Sequence, residues 1–187
     1  ELRVLQDKLP PFSIDTAKAQ ITAEVGVAVD AVFEAFSPPV AAASIAQVHK
    51  ARLRGTGQDV AVKVLRPGIE RAFRRDIDAF YFSAAVVELL SPSSRRLRPR
   101  DVITHFDQTV MGELDLRLES AAASEFQANT ADDAGFRLPQ VNWSLSGRRV
   151  MTMSWAEGVP LGDNAALDAA GHDRQDLSER VLQLFLN

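Results

Sequence analysis

Residues 59–65, Asp-Val-Ala-Val-Lys-Val-Leu, alternate in a way that only an extended strand satisfies. Val60, Val62 and Val64 fall on one face and Ala61 and Lys63 on the other. Gly55-Thr56-Gly57 precedes the stretch as a chain reversal, and Pro67-Gly68 closes it. Strand-like patterns upstream, at 31–36 and 44–53, supply the partners of a β-hairpin. Lys63 then lies on the less apolar face, where an ammonium can meet phosphate oxygens. Valine-alanine-valine-lysine is common in ordinary strands with a solvated lysine, so the surrounding sequence has to decide its use.

Immediately after the hairpin the period changes. Ile69, Phe73, Ile77, Phe80, Ala84 and Val87 recur at three- and four-residue steps, which predicts an amphipathic helix ending near Leu90. A loop over 91–99 leads to a second long helix, marked by Val102, Phe106, Val110, Leu114 and Leu118 and reaching about Phe126. Residues 136–143 and 149–155 read as strands separated by Ser146-Gly147, and 176–186 as a closing helix. At the other end, 1–9 has a helical pattern stopped by Pro10-Pro11, and Ser13 is placed to cap a helix running to Gly26. Helices, three strands, two helices, two strands and a helix make an α+β chain. The expected organisation is an N-terminal helical extension over 1–30, a lobe over 31–161 with a helical insertion at 69–127, and the start of a further region over 162–187.

A length of 187 residues suits one packed core with part of a second. With 46% hydrophobic and 25% charged residues, the chain is of ordinary globular type. The net charge of -4 gives no general attraction to nucleic acid, and the local basic clusters at 71–75 and 95–100 read as a solvated helix face and a loop. There is no cysteine, which excludes disulfides, zinc-thiolate sites and cysteine nucleophiles. The most apolar stretch, near Phe80 to Leu90, is interrupted by Ser83 and Glu88 and is too short to span a bilayer. Glu1 opens on a polar pattern, unlike a secretory leader; the lack of cysteine leaves the redox compartment undecided, with the cytoplasm as the default expectation.

The segment before the Lys63 strand supplies the missing context. Pro38-Pro39-Val40-Ala41-Ala42-Ala43-Ser44-Ile45-Ala46-Gln47-Val48-His49 reads as a turn standing where kinases carry a glycine-rich phosphate-covering loop, with small alanines in place of the glycines. Ala41 to His49 followed by Val60 to Val64 resembles the UbiB / aarF (ABC1-type, ADCK) atypical protein-kinase-like family. Leu5 to Phe12, Glu113 to Ala122 and Val150 to Leu161 are similar to that family's linker, acidic helix, and last strand with hinge. The resemblance covers essentially the whole chain and implies a kinase-like N-lobe with an antiparallel five-strand sheet, followed by the start of a C-lobe.

Carried over by the resemblance, Lys63 is the nucleotide-phosphate lysine, and Glu119, 56 residues on, is its acidic partner; the two are expected within ion-pair reach. Glu113 and Asp115 match an E-x-D element. Helix spacing puts Asp115 and Glu119 on one face and Glu113 on another, so the three carry separate roles. Nucleotide contacts are expected from Ala41, Ala42, Ala43, Ser44, Ala61, Lys63, Met153, Trp155 and Ala156, with ATP as the ligand and Mg2+ implied by resemblance. No metal ligand is assigned within these residues. None of His49, His105 and His172 opens a catalytic H-x-D-x-x-x-x-N loop, no D-F-G is present, and the family's K-x-G-Q element is expected before Glu1. The resemblance implies an ATP-binding kinase or ATPase supporting isoprenoid-quinone biosynthesis or lipid metabolism, with lipid or quinone-biosynthesis proteins as partners and any membrane association through segments outside this chain. A non-catalytic pseudokinase module is the alternative, and a helix-rich interaction domain requires Lys63 to face solvent.

Overall fold

The computed structural model describes residues 10–133 and 136–186; the helix expected over 1–9 lies outside them. Helix α1 (Ile14–Val25) opens the described chain. The Ser13 hydroxyl accepts the Thr16 N–H at 3.1 Å, and Gly26, at φ 79°, ends the helix in the left-handed conformation that favours glycine. A single helical turn, α2 (Val29–Val32), leads into four strands: β1 (Phe33–Ala42), β2 (Ala46–Leu53), β3 (Asp59–Leu65) and β4 (Val150–Ser154). They form one antiparallel sheet in the order β1-β2-β3-β4. Helices α3 (Ile69–Leu90), α4 (Pro99–Glu113) and α5 (Leu116–Asn129) lie between β3 and β4 in sequence, and α6 (Asn164–Ala169) and α7 (Arg174–Leu186) follow. The chain divides into two units, Glu1–Trp155 and Ala156–Asn187. In the second, Leu161, Leu167, Leu177, Val181 and Leu182 line an apolar groove beside α6 and α7.

The period-2 pattern of β3 gives the sheet two distinct faces. Val60, Val62 and Val64 are buried with Val150, Ala51 and Phe33 under Ile21 of α1 and Val29 of α2. On the opposite face, Leu65 packs with Ala46, Met151 and Leu116 of α5. Each large aliphatic side chain buried this way contributes roughly 1.5–3 kcal/mol.

Four expectations are corrected. Residues 136–143 do not form a fifth strand, and among the described residues the sheet has four. Pro139 brings no N–H, and the Gln140 N–H goes to the Ser154 hydroxyl at 2.9 Å instead of a backbone ladder, leaving one isolated bridge between Val141 and Met153. The first strand begins at Phe33 and runs to Ala42, so the alanine-rich stretch is mostly strand, and the turn is confined to 43–45. The loop at 91–99 contains a 3-10 turn over Pro92–Leu97. The second long helix is broken in two. At the break the Asp115 carboxylate accepts the Arg117 N–H at 3.1 Å and the Leu116 N–H donates to the Arg148 carbonyl at 2.9 Å. Residues two apart point to different sides of a continuous helix. The break lets both Leu114 and Leu116 reach the core, where both are buried.

The edge strand β1 carries Pro38 and Pro39, which cannot donate to β2, and its register shifts on both sides of Pro39. Side chains repair the gap. The Ser37 hydroxyl accepts the Lys50 N–H at 3.0 Å, and the Ser37 carbonyl accepts from Nδ1 of His49 at 2.8 Å. His49 is fully buried and stacked on Phe36 at 4.6 Å, and its Nε2 accepts from the Gln47 amide at 2.9 Å. Gln47 also exchanges hydrogen bonds with the backbone of Phe12, accepting at 3.1 Å and donating at 3.3 Å. This arrangement requires a neutral imidazole, because a proton on Nε2 would face an amide that also donates.

Two outcomes follow. Ile21→Ala is expected to cost about 2–5 kcal/mol in denaturant unfolding, whereas the exposed Phe82→Ala changes stability by less than about 0.5 kcal/mol. Burial lowers the His49 pKa below its ordinary 6.5, against the opposing bond to Ser37. The unfolded chain therefore takes up the proton first on acidification: stability is full above pH 6.5 and declines as pH falls through 6.5 towards the native value. Unfolding midpoints between pH 8 and 5 should slope downward for the wild type and less for His49→Gln; equal slopes would show that His49 is not the group responsible.

Candidate functional site

Strand register fixes which side chains stand beside Lys63. Ala41, Val48, Lys63 and Met151 are successive cross-strand partners, and Lys50, Ala61 and Met153 form the neighbouring row. Both rows lie on the face opposite Val62, since pairing partners share a side of the sheet. Ala41 and Ala61 place only methyl groups on this face beside the lysine.

Helix α5 brings the carboxylate. Leu116 and Ala123 pack on the sheet, and Ser120, buried between them, bonds its own helix through the Leu116 carbonyl at 2.8 Å. Glu119, three residues after Leu116, is carried towards the sheet at the margin of that contact. The Lys63 ammonium donates to both Glu119 oxygens, at 2.7 and 2.6 Å. The side chains are 25% and 45% exposed, so the pair contributes only about 0–1 kcal/mol to stability. Its effect is positional: two donor directions are taken by Glu119, and the ammonium has a third.

The other two acids do not join this pair. Glu113 ends α4, exposed and without a partner among the described residues. Asp115 caps α5 and binds the Arg117 guanidinium at 2.9 Å, which holds its carboxyl below the usual range. The shared face expected for Asp115 and Glu119 is lost with the helix break. Of the expected ligand contacts, Ala41 and Ala42 end β1, and Ala43 and Ser44 form the turn. The Ala43 N–H closes that turn on the Ala46 carbonyl at 2.8 Å. Ala156 opens the second unit, so the face described here is that of the first unit alone. The Trp155 N–H is already used, donating to the Asp59 carbonyl at 3.0 Å.

Sequence patterns did not single out the charged end of this face. Lys50 and Arg52 both bind Asp59, at 2.9 and 2.8 Å, and the Lys50 ammonium stands 4.8 Å from the centre of the Trp155 ring. The Arg52 hydrogen bond, with that of Lys50, depresses the Asp59 carboxyl to about 2. The signal was present, because Lys50 and Arg52 alternate with Val48 along β2 and Arg52 pairs Asp59 in register. Arg66, one residue past β3, was also overlooked. It donates twice to the Ala43 carbonyl, at 3.1 and 3.0 Å, and once to the Pro10 carbonyl at 3.0 Å.

Among the described residues no group of three or more His, Asp or Glu side chains could hold a metal ion. No helix among them is long and apolar enough to cross a membrane.

Comparison with known proteins adds a family to this geometry. Proteins named probable protein kinase UbiB are similar along nearly the whole chain: 38% identical over 185 residues in Marinobacter nauticus, 39% over 186 in Shewanella loihica and 40% over 186 in Azotobacter vinelandii. The matches cover 98–99% of this chain but 34% of each relative, so the chain spans about a third of their length. Residues 4–187 match the family model of the ABC1 atypical kinase-like domain, and the chain, with its lysine and glutamate paired between sheet and helix, belongs to that family.

Proposed function

We propose that this chain supplies the nucleotide-facing lobe of an ATP-binding, UbiB-type atypical kinase or ATPase. The observation that carries the reading is the ion pair of Lys63 with Glu119 beside the apolar rows of Ala41, Val48, Ala61 and Met153. These residues fit a nucleotide: a fixed ammonium complements phosphate oxygens, and apolar side chains accept the flat face of a base. In this reading Glu119 orients Lys63, Lys63 binds phosphate, and the 43–45 turn covers it. Mg2+, when bound with the nucleotide, would screen phosphate charge; no residue described here is assigned to it, and Glu113 and Asp115 have no part in holding the phosphates. Support of isoprenoid-quinone biosynthesis or lipid metabolism belongs to the same proposal for the whole protein and rests on the motif resemblance.

None of the turn residues Ala43, Ser44 and Ile45 has a positive φ, so glycine is not needed there for backbone reasons. Alanine restricts the turn and keeps the phosphate cover stiff.

The test is calorimetric titration of ATP and ADP into the full-length protein. Lys63→Ala should weaken ATP binding about tenfold or more, the scale of a lost charge-assisted hydrogen bond. Ala43→Gly should alter the ATP-to-ADP preference and lower stability by about 0.4–1 kcal/mol. Unchanged ATP affinity in a folded Lys63→Ala protein would refute the phosphate role of Lys63.

A further inference from the structure

We infer that Arg66 is a positioning residue that aims the backbone N–H of Ser44 at nucleotide phosphate; this rests on the nucleotide-binding reading above. The starting observation is how the Ala43 carbonyl is held. Nε and Nη2 of Arg66 both donate to it, at 3.1 and 3.0 Å, so the guanidinium fork closes on a single oxygen. The remaining nitrogen, Nη1, donates to the Pro10 carbonyl at 3.0 Å, and the guanidinium carbon lies 5.9 Å from the centre of the Phe12 ring. Arg66 is thereby fixed at both ends, with its backbone N–H on the Ile45 carbonyl at 2.8 Å.

The side of the sheet follows from the packing. Phe12 packs against the core of Val60, Val62 and Val64, and Gln47 holds its backbone on that same side. The Arg66 guanidinium therefore lies on the valine side, opposite Lys63, as the alternation of β3 continued by one residue also requires. In a trans peptide the C=O and the following N–H point in opposite directions, and no peptide bond among the described residues is cis. With the Ala43 carbonyl drawn to the valine side, the Ser44 N–H is turned towards the Lys63 side. Ser44 is exposed, and its N–H has no acceptor among the described residues. A free amide and a lysine ammonium on one side of a sheet are complementary to an anion with several oxygens.

An alanine turn lacks the freedom of glycine to reorient this peptide when a ligand arrives, so an external tether is needed to set it beforehand. Arginine suits the task because its planar fork stays charged and loses little freedom per bond formed. Lysine would offer a point charge without the fork.

The experiment titrates ATP and adenosine into the full-length protein carrying wild-type Arg66, Arg66→Ala, Arg66→Lys or Lys63→Ala, with melting temperatures measured alongside. Arg66→Ala should weaken ATP about tenfold while leaving adenosine within about twofold, and Arg66→Lys should fall between wild type and alanine for ATP. A merely structural role would weaken both ligands together or only lower the melting temperature. Equal loss for ATP and adenosine, or unchanged ATP affinity in folded Arg66 variants while Lys63→Ala weakens ATP, overturns the role of Arg66 and spares the nucleotide site. Failure of the wild type to bind ATP, or indifference to Lys63→Ala, overturns both. If Arg66→Ala does not fold, Arg66→Lys decides: an ATP affinity equal to wild type with adenosine also unchanged counts against the fork.

Discussion

The two-sidedness of β3 is the constraint on which the rest of the structure depends. Packing Val60, Val62 and Val64 under α1 and α2 leaves no freedom in where Lys63 points, because side chains alternate with a period of two. A slip of one residue would drive an ammonium into the core and expose three valines. An unpaired buried charge costs several kcal/mol, and each valine lost from the interior adds to that. The lysine is thus placed by apolar packing on the other side of the strand, and α5 then needs only to bring Glu119 within reach.

Placement of Glu119 depends in turn on the break between α4 and α5. A continuous helix would turn Leu114 and Leu116 to different sides, whereas the break allows both to be buried. With the break, Leu116 anchors the first turn of α5 on Met151 and Leu65, and the Arg148 carbonyl takes the N–H that the interrupted helix leaves open. Asp115 is used up in stabilising that start, which explains why an acidic residue so close to Glu119 in sequence has no share in the lysine.

Much of the fold was legible because it follows from periods and punctuation. The hairpin, the 22-residue α3 and the capped α1 are all written in local patterns, and their ends fall at Pro67-Gly68, Leu90 and Gly26. What could not be read was set by tertiary hydrogen bonds. The α4–α5 break answers to a carbonyl at Arg148, and the absence of a fifth strand to the hydroxyl of Ser154. Both partners are distant in sequence, and neither leaves a periodic trace. In the site, the pairing of Lys63 and Glu119 was anticipated from the resemblance alone, since 56 residues separate them and no helix or strand spacing links them. Gln47, His49 and Arg66 went unread for a related reason: they bind backbone carbonyls and amides, which any sequence offers.

The exposure of the ion pair is itself informative about use. A fully buried lysine and glutamate would be tightly coupled, and a ligand competing for the ammonium would leave an uncompensated carboxylate in a low-dielectric interior. At 25% and 45% exposure, water screens the pair, and Glu119 stays solvated whether or not Lys63 also meets another anion. Such a cation can be shared without a large penalty. Glu119 then restricts the directions open to the lysine, lowering the entropy lost when an oxygen ligand is bound, and adds little to the stability of the empty lobe. Under the proposed function the weakness of the pair is what keeps the ammonium both oriented and available.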